Sequence, residues 1–233
     1  MKFKVDSKIF ENYPGFVDGV LVVKGIDNSG SDPAIEALLR EAEKQVQETP
    51  DVESVNQYPK IAAWRDAHKK FGSSPKKYAP SIQALFKRVY KGGQLPNINK
   101  LVDIYNYISL KYVIPAGGED TDACSGDIEL TYADGSEEFV ELGGTEDNPP
   151  QEGEVVYKDD TGVICRRFNW READRSKLTE ETKNAVLVFE GLPPMSREEL
   201  EQVLQEGKEL VEKFCGGEVQ AFVLSEGDLE CEV

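Results

Sequence analysis

The chain has 233 residues, 39% of them hydrophobic, and a formal net charge of −17. That apolar content excludes a disordered chain, and so large an acid excess excludes a broadly basic nucleic-acid wrapper, because it opposes nonspecific contact with phosphate backbones. No apolar run approaches the length of a bilayer-spanning helix, and Met1-Lys-Phe-Lys-Val5 has no secretory character, so a cytoplasmic location is the default expectation.

Residues 17–24 are β-branched and apolar and predict a buried strand. A loop follows, and Asp32 is placed to cap a helix with Pro33 in its first turn. Ile35, Leu38, Leu39, Ala42 and Val46 give that helix one apolar stripe, and Thr49-Pro50-Asp51 ends it. Further helices are expected over residues 58–71, 80–90 and 98–110, separated by Gly/Pro breaks at residues 72–75 and at Gly92-Gly93. After Pro115-Ala-Gly-Gly118 the pattern changes. Residues 127–132 and 136–140 flank Ala133-Asp-Gly135 as a hairpin, and residues 155–158 and 163–168 flank a second turn. Residues 185–190 read as a strand. Ser196 and Glu199 form a capping box for a helix that turns Leu200, Val203, Leu204, Leu210, Val211 and Phe214 inward. Gly207 in its middle is either a weak point or a place of close packing. Residues 219–224 form a last strand, and the acidic tail 225–233 is expected to fray. This order predicts one α+β domain over residues 1–233, with helices packed on a largely antiparallel sheet.

Sites for familiar chemistry are few. The chain has neither a phosphate-binding P-loop motif nor a Gly-x-Ser-x-Gly elbow. Cys124, Cys165, Cys215 and Cys231 are far apart and read as free thiols, and His68 is the single histidine. No Cys/His metal site is therefore expected, and no metal or cofactor is assigned, although 44 acidic residues leave a carboxylate site open. His68, on a helix between basic residues, reads as structural or exposed.

Three segments concentrate polar groups. Asn97, Asn99, Asp103 and Asn106 crowd one short segment of helical spacing, where such residues are poor helix formers because they compete for backbone groups. They suit a pocket that reads hydrogen bonds, or else Asp103 and Asn106, three residues apart, tie the helix to a neighbouring loop. The Gly-rich residues 117–126 either wrap a ligand or merely connect two elements, and Asp122 is the candidate carboxylate there. In Cys165-Arg-Arg-Phe-Asn-Trp-Arg171, strand alternation turns Arg166 or Arg167 inward, toward a carboxylate, an acidic ligand group or a phosphate. Asn169 and Trp170 then sit at the strand end. Exposed charge offers two basic regions, one from Lys69-Lys70 through Lys76-Lys77, Lys87-Arg88 and Lys91, the other Arg166, Arg167, Arg171 and Arg175.

Val102-Asp-Ile-Tyr-Asn-Tyr-Ile-Ser-Leu110, the segment from Gly118 to Asp122, Glu141-Leu-Gly-Gly-Thr-Glu146, Gly153-Glu-Val-Val-Tyr-Lys-Asp159, and Thr179-Glu-Glu-Thr182 with the strand after it occur in an order that resembles the editing (B3/B4) domain of the phenylalanyl-tRNA synthetase beta subunit. Trp64-Arg65, Phe71-Gly72, Pro75, Pro80-Ser81 and Arg167-Phe-Asn-Trp-Arg171 are similar to the free-standing version of that domain. The family fold is a layered α/β domain, and in the synthetase it hydrolyses the ester of a wrongly attached amino acid. The resemblance implies a tRNA-binding or deacylating role in trans, with the tRNA 3′ end or its aminoacyl group as partner and with neither membrane nor DNA. It implies no aminoacylation, since the ATP-using core is missing. In this reading Asn106, Asp122 and Asn169 hold the amino acid or the attacking water. Asn97 and Asn99 help to bind substrate, and Arg166, Arg167 and Arg171 orient the terminal nucleotide. The chain departs from the synthetase at Arg166 to Arg171, where the synthetase carries a Gly-rich segment, so its pocket chemistry is expected to differ. The alternative is a non-catalytic module for an amino acid, a small metabolite or an RNA end.

Overall fold

The β-branched run Val17–Lys24 forms a strand that is buried along its whole length except at Lys24. A computed structural model describes residues 1–49 and 54–233, so Pro50 and Asp51, expected to end the first long helix, lie outside the described residues. The elements in chain order are β1 (Lys2–Val5), α1 (Ser7–Asn12), β2 (Val17–Lys24), α2 (Pro33–Gln47), α3 (Pro59–Lys70), α4 (Ser81–Tyr90), α5 (Lys100–Tyr112), β3 (Ala116–Asp120), β4 (Ile128–Tyr132), β5 (Val155–Lys158), β6 (Val163–Arg166), β7 (Arg171–Glu172), β8 (Ala185–Gly191), α6 (Arg197–Phe214), β9 (Glu218–Leu224) and β10 (Glu230–Glu232).

The strands form two sheets. One is four-stranded, in the order β3-β8-β2-β9, and antiparallel throughout. The other is six-stranded, in the order β10-β1-β4-β5-β6-β7, with β1 and β4 parallel and the remaining neighbours antiparallel. The architecture is α+β, with helices packed on largely antiparallel sheets.

Register decides what each face of the four-stranded sheet meets. Gly19 of β2 lies against α6: a Cβ there would come within 3.0 Å of Leu204 and 3.1 Å of Leu200. By alternation, Gly19, Leu21 and Val23 face that helix, and Asp18, Val20 and Val22 face the other way. Their partners on β8 are Glu190, Val188 and Val186. Gly207 serves close packing, because a Cβ on it would meet Leu21 at 3.0 Å and Ile108 of α5 at 3.2 Å. Two acidic residues, Asp18 and Glu190, therefore stand directly opposite each other on the face turned away from α6, where the other β2 and β8 residues, Val20, Val22, Val186 and Val188, are valine.

The helix starts follow local chemistry. Asp32 accepts from the Ala34 N–H at the head of α2, and Ser196 accepts from the Glu199 N–H at the head of α6. Asn99 caps α5 by accepting from the Val102 N–H, and its amide also donates to the Leu178 carbonyl.

Three expectations differ from the structure. The first expected hairpin does not form: β4 pairs with β5 and β1, while the segment after the turn makes only an isolated bridge between Val140 and Asp147. Glu137 accepts from the Asp134 and Gly135 N–H groups, which pulls the turn onto its own side chain. Phe139 then drops into a small separate core with Ala133, Val156, Val163 and Ala173. The Gly-rich segment is not wholly a loop, since Ala116–Asp120 is strand β3, paired with β8. Glycine is required there, because a Cβ on Gly118 would lie 2.6 Å from Leu187. Finally, the tail expected to fray supplies edge strand β10, with Cys231 buried opposite Phe3.

Candidate functional site

A cavity of ≈ 190 Å³ opens between the two sheets and the helical layer. Phe3, Ile128, Tyr157, Ile164 and Cys165 line it from the six-stranded sheet, and residues 116–119, Val188 and Glu190 from the four-stranded one. Helix α5 contributes Tyr105 and Asn106, α4 contributes Ser81 and Leu85, and the turn after β6 contributes Phe168, Asn169 and Trp170. Arg171 and Leu142 also line it, and both are exposed, which places them at the mouth. An apolar cavity of roughly 150 Å³ holds benzene, so this one has room for a group of at least that size.

The turn that delivers Asn169 is strained. Arg167 and Phe168 both have positive φ, at 52° and 66°. Neither is glycine, and the left-handed region costs an ordinary residue roughly 1–2 kcal/mol. The fully buried Phe168 ring offsets this. It meets Tyr13, Phe16 and Trp64 edge-on at centroid distances of 5.4, 5.4 and 5.0 Å. Burying such a ring is worth about 2–3 kcal/mol, and each aromatic pair adds about 0.5–1.5 kcal/mol. The anchored ring thus holds the reversal that turns Asn169 into the cavity.

Asn169 belongs to a buried chain of hydrogen bonds. Its Nδ2 donates to Glu190 Oε2 at 2.8 Å, and its Oδ1 lies 3.3 Å from Nε2 of the fully buried His68. Tyr157 donates its hydroxyl to Glu190 Oε1 at 2.8 Å and lies 3.3 Å from Asp18 Oδ2. Burial lowers His68 to about 4, so the ring is neutral near pH 7. A neutral ring with its proton on Nε2 donates to Asn169 Oδ1, which orients the Asn169 amide toward Glu190. Burial raises the Glu190 carboxyl to about 7, against the pull of the hydrogen bonds from Tyr157 and Asn169. Burial, reinforced by the Glu190 charge, holds Asp18 well above the carboxylate range. Two facing acids do not both ionise, and Glu190, with two donors on it, is the one that gives up its proton. Protonated Asp18 can then donate to the Tyr157 oxygen while Tyr157 donates to Glu190.

A second acidic pair also lines the cavity. Glu119 of β3 is buried, and its Oε2 has no hydrogen-bond partner. Burial and the charge of Glu172 raise it well above the carboxylate range. Burial raises Glu172 to about 7, while the Gly118 N–H and Arg171 hold it down. The Glu172 carboxylate lies over Gly117, where a Cβ would be 2.7 Å from its Oε1. Among the described residues no three His, Cys, Asp or Glu side chains are grouped to hold a metal ion.

The candidates named from sequence separate into those at the cavity and those away from it. Asn106, Asn169 and Arg171 line it. Asp122 does not: it is exposed beside a shallow depression with Lys24 and Thr121, and its carboxylate accepts from Asn184 Nδ2 at 2.9 and 3.1 Å. The strand β3 carries Glu119 to the cavity instead. Asn97 and Asn99 build the start of α5, Asn97 by donating to Asp103 at 2.8 Å, and neither reaches the cavity. Asp103 also accepts from the Ile98 N–H, so it ties the helix to the preceding loop and parts company with Asn106.

Arg166 and Arg167 are both buried rather than one inward and one outward, because the left-handed reversal at Arg167 breaks the alternation. Glu154 meets Arg166 at 2.8 Å through both oxygens and Arg167 at 3.1 Å, and the Asn148 carbonyl takes a further Arg166 donor. Arg167 also lies 3.8 Å over the Tyr78 ring. Their charges are committed inside the protein, so neither orients a nucleotide in this arrangement. Glu154, whose side chain is 1% exposed, is the carboxylate partner. Burial pushes the thiols of Cys165 and Cys124 up, Cys124 to about 12.

Sequence reading missed Glu190, Asp18, Glu119, Glu172 and Tyr157. A signal existed for two of them. Residues 17–24 and 185–191 are otherwise apolar strands, and each carries one acid that burial would penalise.

The fold and the cavity define an α+β domain with an acid-lined cavity between its sheets and helices. A family profile for the B3/4 domain matches residues 63–216, about two thirds of the chain, and the chain belongs to that family. Among solved structures, an N-terminal fragment of the phenylalanyl-tRNA synthetase beta-subunit from Pyrococcus horikoshii is similar at 13% identity and a TM-score of 0.47, over 93% of this chain and 49% of that one. This chain therefore spans about half the length of that fragment. No curated protein matches. Among the described residues no helix is long and apolar enough to cross a membrane.

Proposed function

We propose that the cavity receives the aminoacyl end of a tRNA and that the protein hydrolyses the ester in trans. Membership of the B3/4 domain family supports a tRNA-related role. The observation that carries the chemistry is Glu190, a buried cavity carboxylate held by Tyr157 and Asn169 with its pKa raised to about 7. A general base works best when its pKa lies near the working pH.

In the proposed step Glu190 takes a proton from a water as the water oxygen attacks the ester carbonyl carbon. Asn106 donates to the oxyanion that forms. The tetrahedral intermediate then collapses, the bond to the ribose oxygen breaks, and Glu190 returns the proton to that oxygen. Asn169 and His68 are positioning residues that aim Glu190. At the mouth, Trp170 meets Tyr78 edge-on at 4.8 Å. The exposed Arg171 lies 5.5 Å over Trp170, and the exposed Lys77 lies 4.9 Å over Tyr78. Aromatic faces beside exposed cations suit a stacked terminal base and its phosphate. Lys87 and Arg88, exposed on α4, extend the positive side.

The test is amino-acid release from a panel of mischarged tRNAs. The protein is expected to accelerate release above the spontaneous rate, with kcat/KM rising as pH passes about 7, because Glu190 must be unprotonated. Glu190→Gln is expected to lower kcat by about 10²–10⁴-fold. Equal release with and without protein, alongside a ligand-induced rise in Tm, would replace this reading with a non-catalytic binding module.

A further inference from the structure

Four carboxylates, those of Asp18, Glu119, Glu172 and Glu190, stand in or directly behind one apolar cavity. None forms an ion pair among the described residues, although the neighbouring acids do: Glu154 takes Arg166 and Arg167, and Asp159 takes Arg175 at 2.5 and 2.9 Å. Buried carboxylates are ordinarily paired, bonded or neutralised. Glu190 is held by Tyr157 and Asn169, and Asp18 shares that tyrosine through Oδ2, while its unpartnered Oδ1 belongs to a residue that does not line the cavity. Glu119 and Glu172 both line the cavity. Glu119 is 6% exposed, lines the cavity, and leaves Oε2 without a partner. Gly117 keeps that part of the wall clear of a side chain and leaves the space into which the Glu172 carboxylate reaches.

We propose that Glu119 and Glu172 form the seat for a primary ammonium group, so that the cavity selects small amines with an apolar body. The ammonium ion has three donors, and two carboxylates with the phenol of Tyr105, which lines the same cavity and feels the charges of both, offer acceptors for all three. Phe3, Leu85, Ile128, Ile164 and Val188 take the apolar body. Among the described residues the grouping is not one of three or more His, Cys, Asp or Glu side chains placed to hold a metal ion. The ammonium reading rests on the cavity being the ligand site proposed above, and it assigns the amino group of the aminoacyl end to one acidic pair and the reacting carbonyl to the other.

The test uses purified protein and three free ligands, with no tRNA. Titration calorimetry compares phenethylamine, its neutral isostere 2-phenylethanol, and hydrocinnamate, which replaces the amine by a carboxylate. Phenethylamine is expected to bind at least about tenfold more tightly than 2-phenylethanol, the ratio one charge-assisted hydrogen bond supports. Hydrocinnamate is expected not to bind. Glu119→Gln and Glu172→Gln are each expected to weaken phenethylamine more than 2-phenylethanol and so to reduce that preference. The wild-type comparison stands without either variant, so misfolding of a variant leaves the test intact. Equal affinity for amine and alcohol overturns the proposal, as does loss of both ligands together in a folded variant. Amine preference without tRNA deacylation would leave the ammonium seat standing and remove the hydrolase. Deacylation with no preference for the amine would do the reverse.

Discussion

Replacing Glu190 by Gln removes a carboxyl whose pKa burial raises from 4.5 to about 7. That difference corresponds to about 3 kcal/mol between the folded and unfolded states. The folded protein holds this proton more tightly than the unfolded chain. The group therefore favours folding below the ordinary glutamate range, and its contribution is lost as pH rises from 4.5 through about 7. Glutamine keeps the shape and removes the titration. Tyr157 still donates to its oxygen, and Asn169 can turn its amide to accept from the new amide, with neutral His68 changing tautomer. Glu119 and Glu172 titrate in both proteins and cancel from the difference, whereas relief of Asp18 adds to it because the two acids act as a pair. Urea unfolding of both proteins at about pH 5 and about pH 8 in constant salt measures the effect. The wild type is expected to lose about 3 kcal/mol more than Glu190→Gln over that interval. Parallel pH profiles for the two proteins would refute the burial argument.

Glu154→Ala leaves Arg166 and Arg167 buried without a carboxylate, and urea unfolding is expected to show a loss of about 3–5 kcal/mol. A loss below about 1 kcal/mol would mean that water reaches the pair. Phe168→Ala removes the anchor of the strained turn and is expected to cost about 3–5 kcal/mol in the same assay. Unchanged stability there would show that the reversal at Arg167 holds itself. Gly118→Ala places a methyl against Leu187 and is expected to destabilise by about 1–3 kcal/mol, read as a lowered Tm. All four thiols are buried or half-buried, and burial raises each of them. Iodoacetamide near neutral pH is thus expected to label the native protein slowly, and rapid labelling of Cys165 would contradict its place in the cavity wall.

Periodicity and capping chemistry determined most of the elements. The buried strand at residues 17–24, the helix behind Asp32 and the capped helix behind Ser196 were all legible, because each depends on neighbours a few residues away. Strand β3 was hidden because its glycines carry no β signal and are explained only by Leu187 across the ladder. Asn106, Asn169 and Arg171 were picked out by composition, but so were Asp122, Asn99, Arg166 and Arg167, which sit elsewhere or serve the fold. Composition marks a polar side chain as unusual without saying which groups will satisfy it. The sequence by itself determined the family and most of the longer helices and strands, since these rest on local pattern. Only the tertiary structure decided the site, because the pairing of Asp18 with Glu190, and of Glu119 with Glu172, joins segments far apart in the chain. The burial that shifts their protons exists only once the sheets and helices have closed around them.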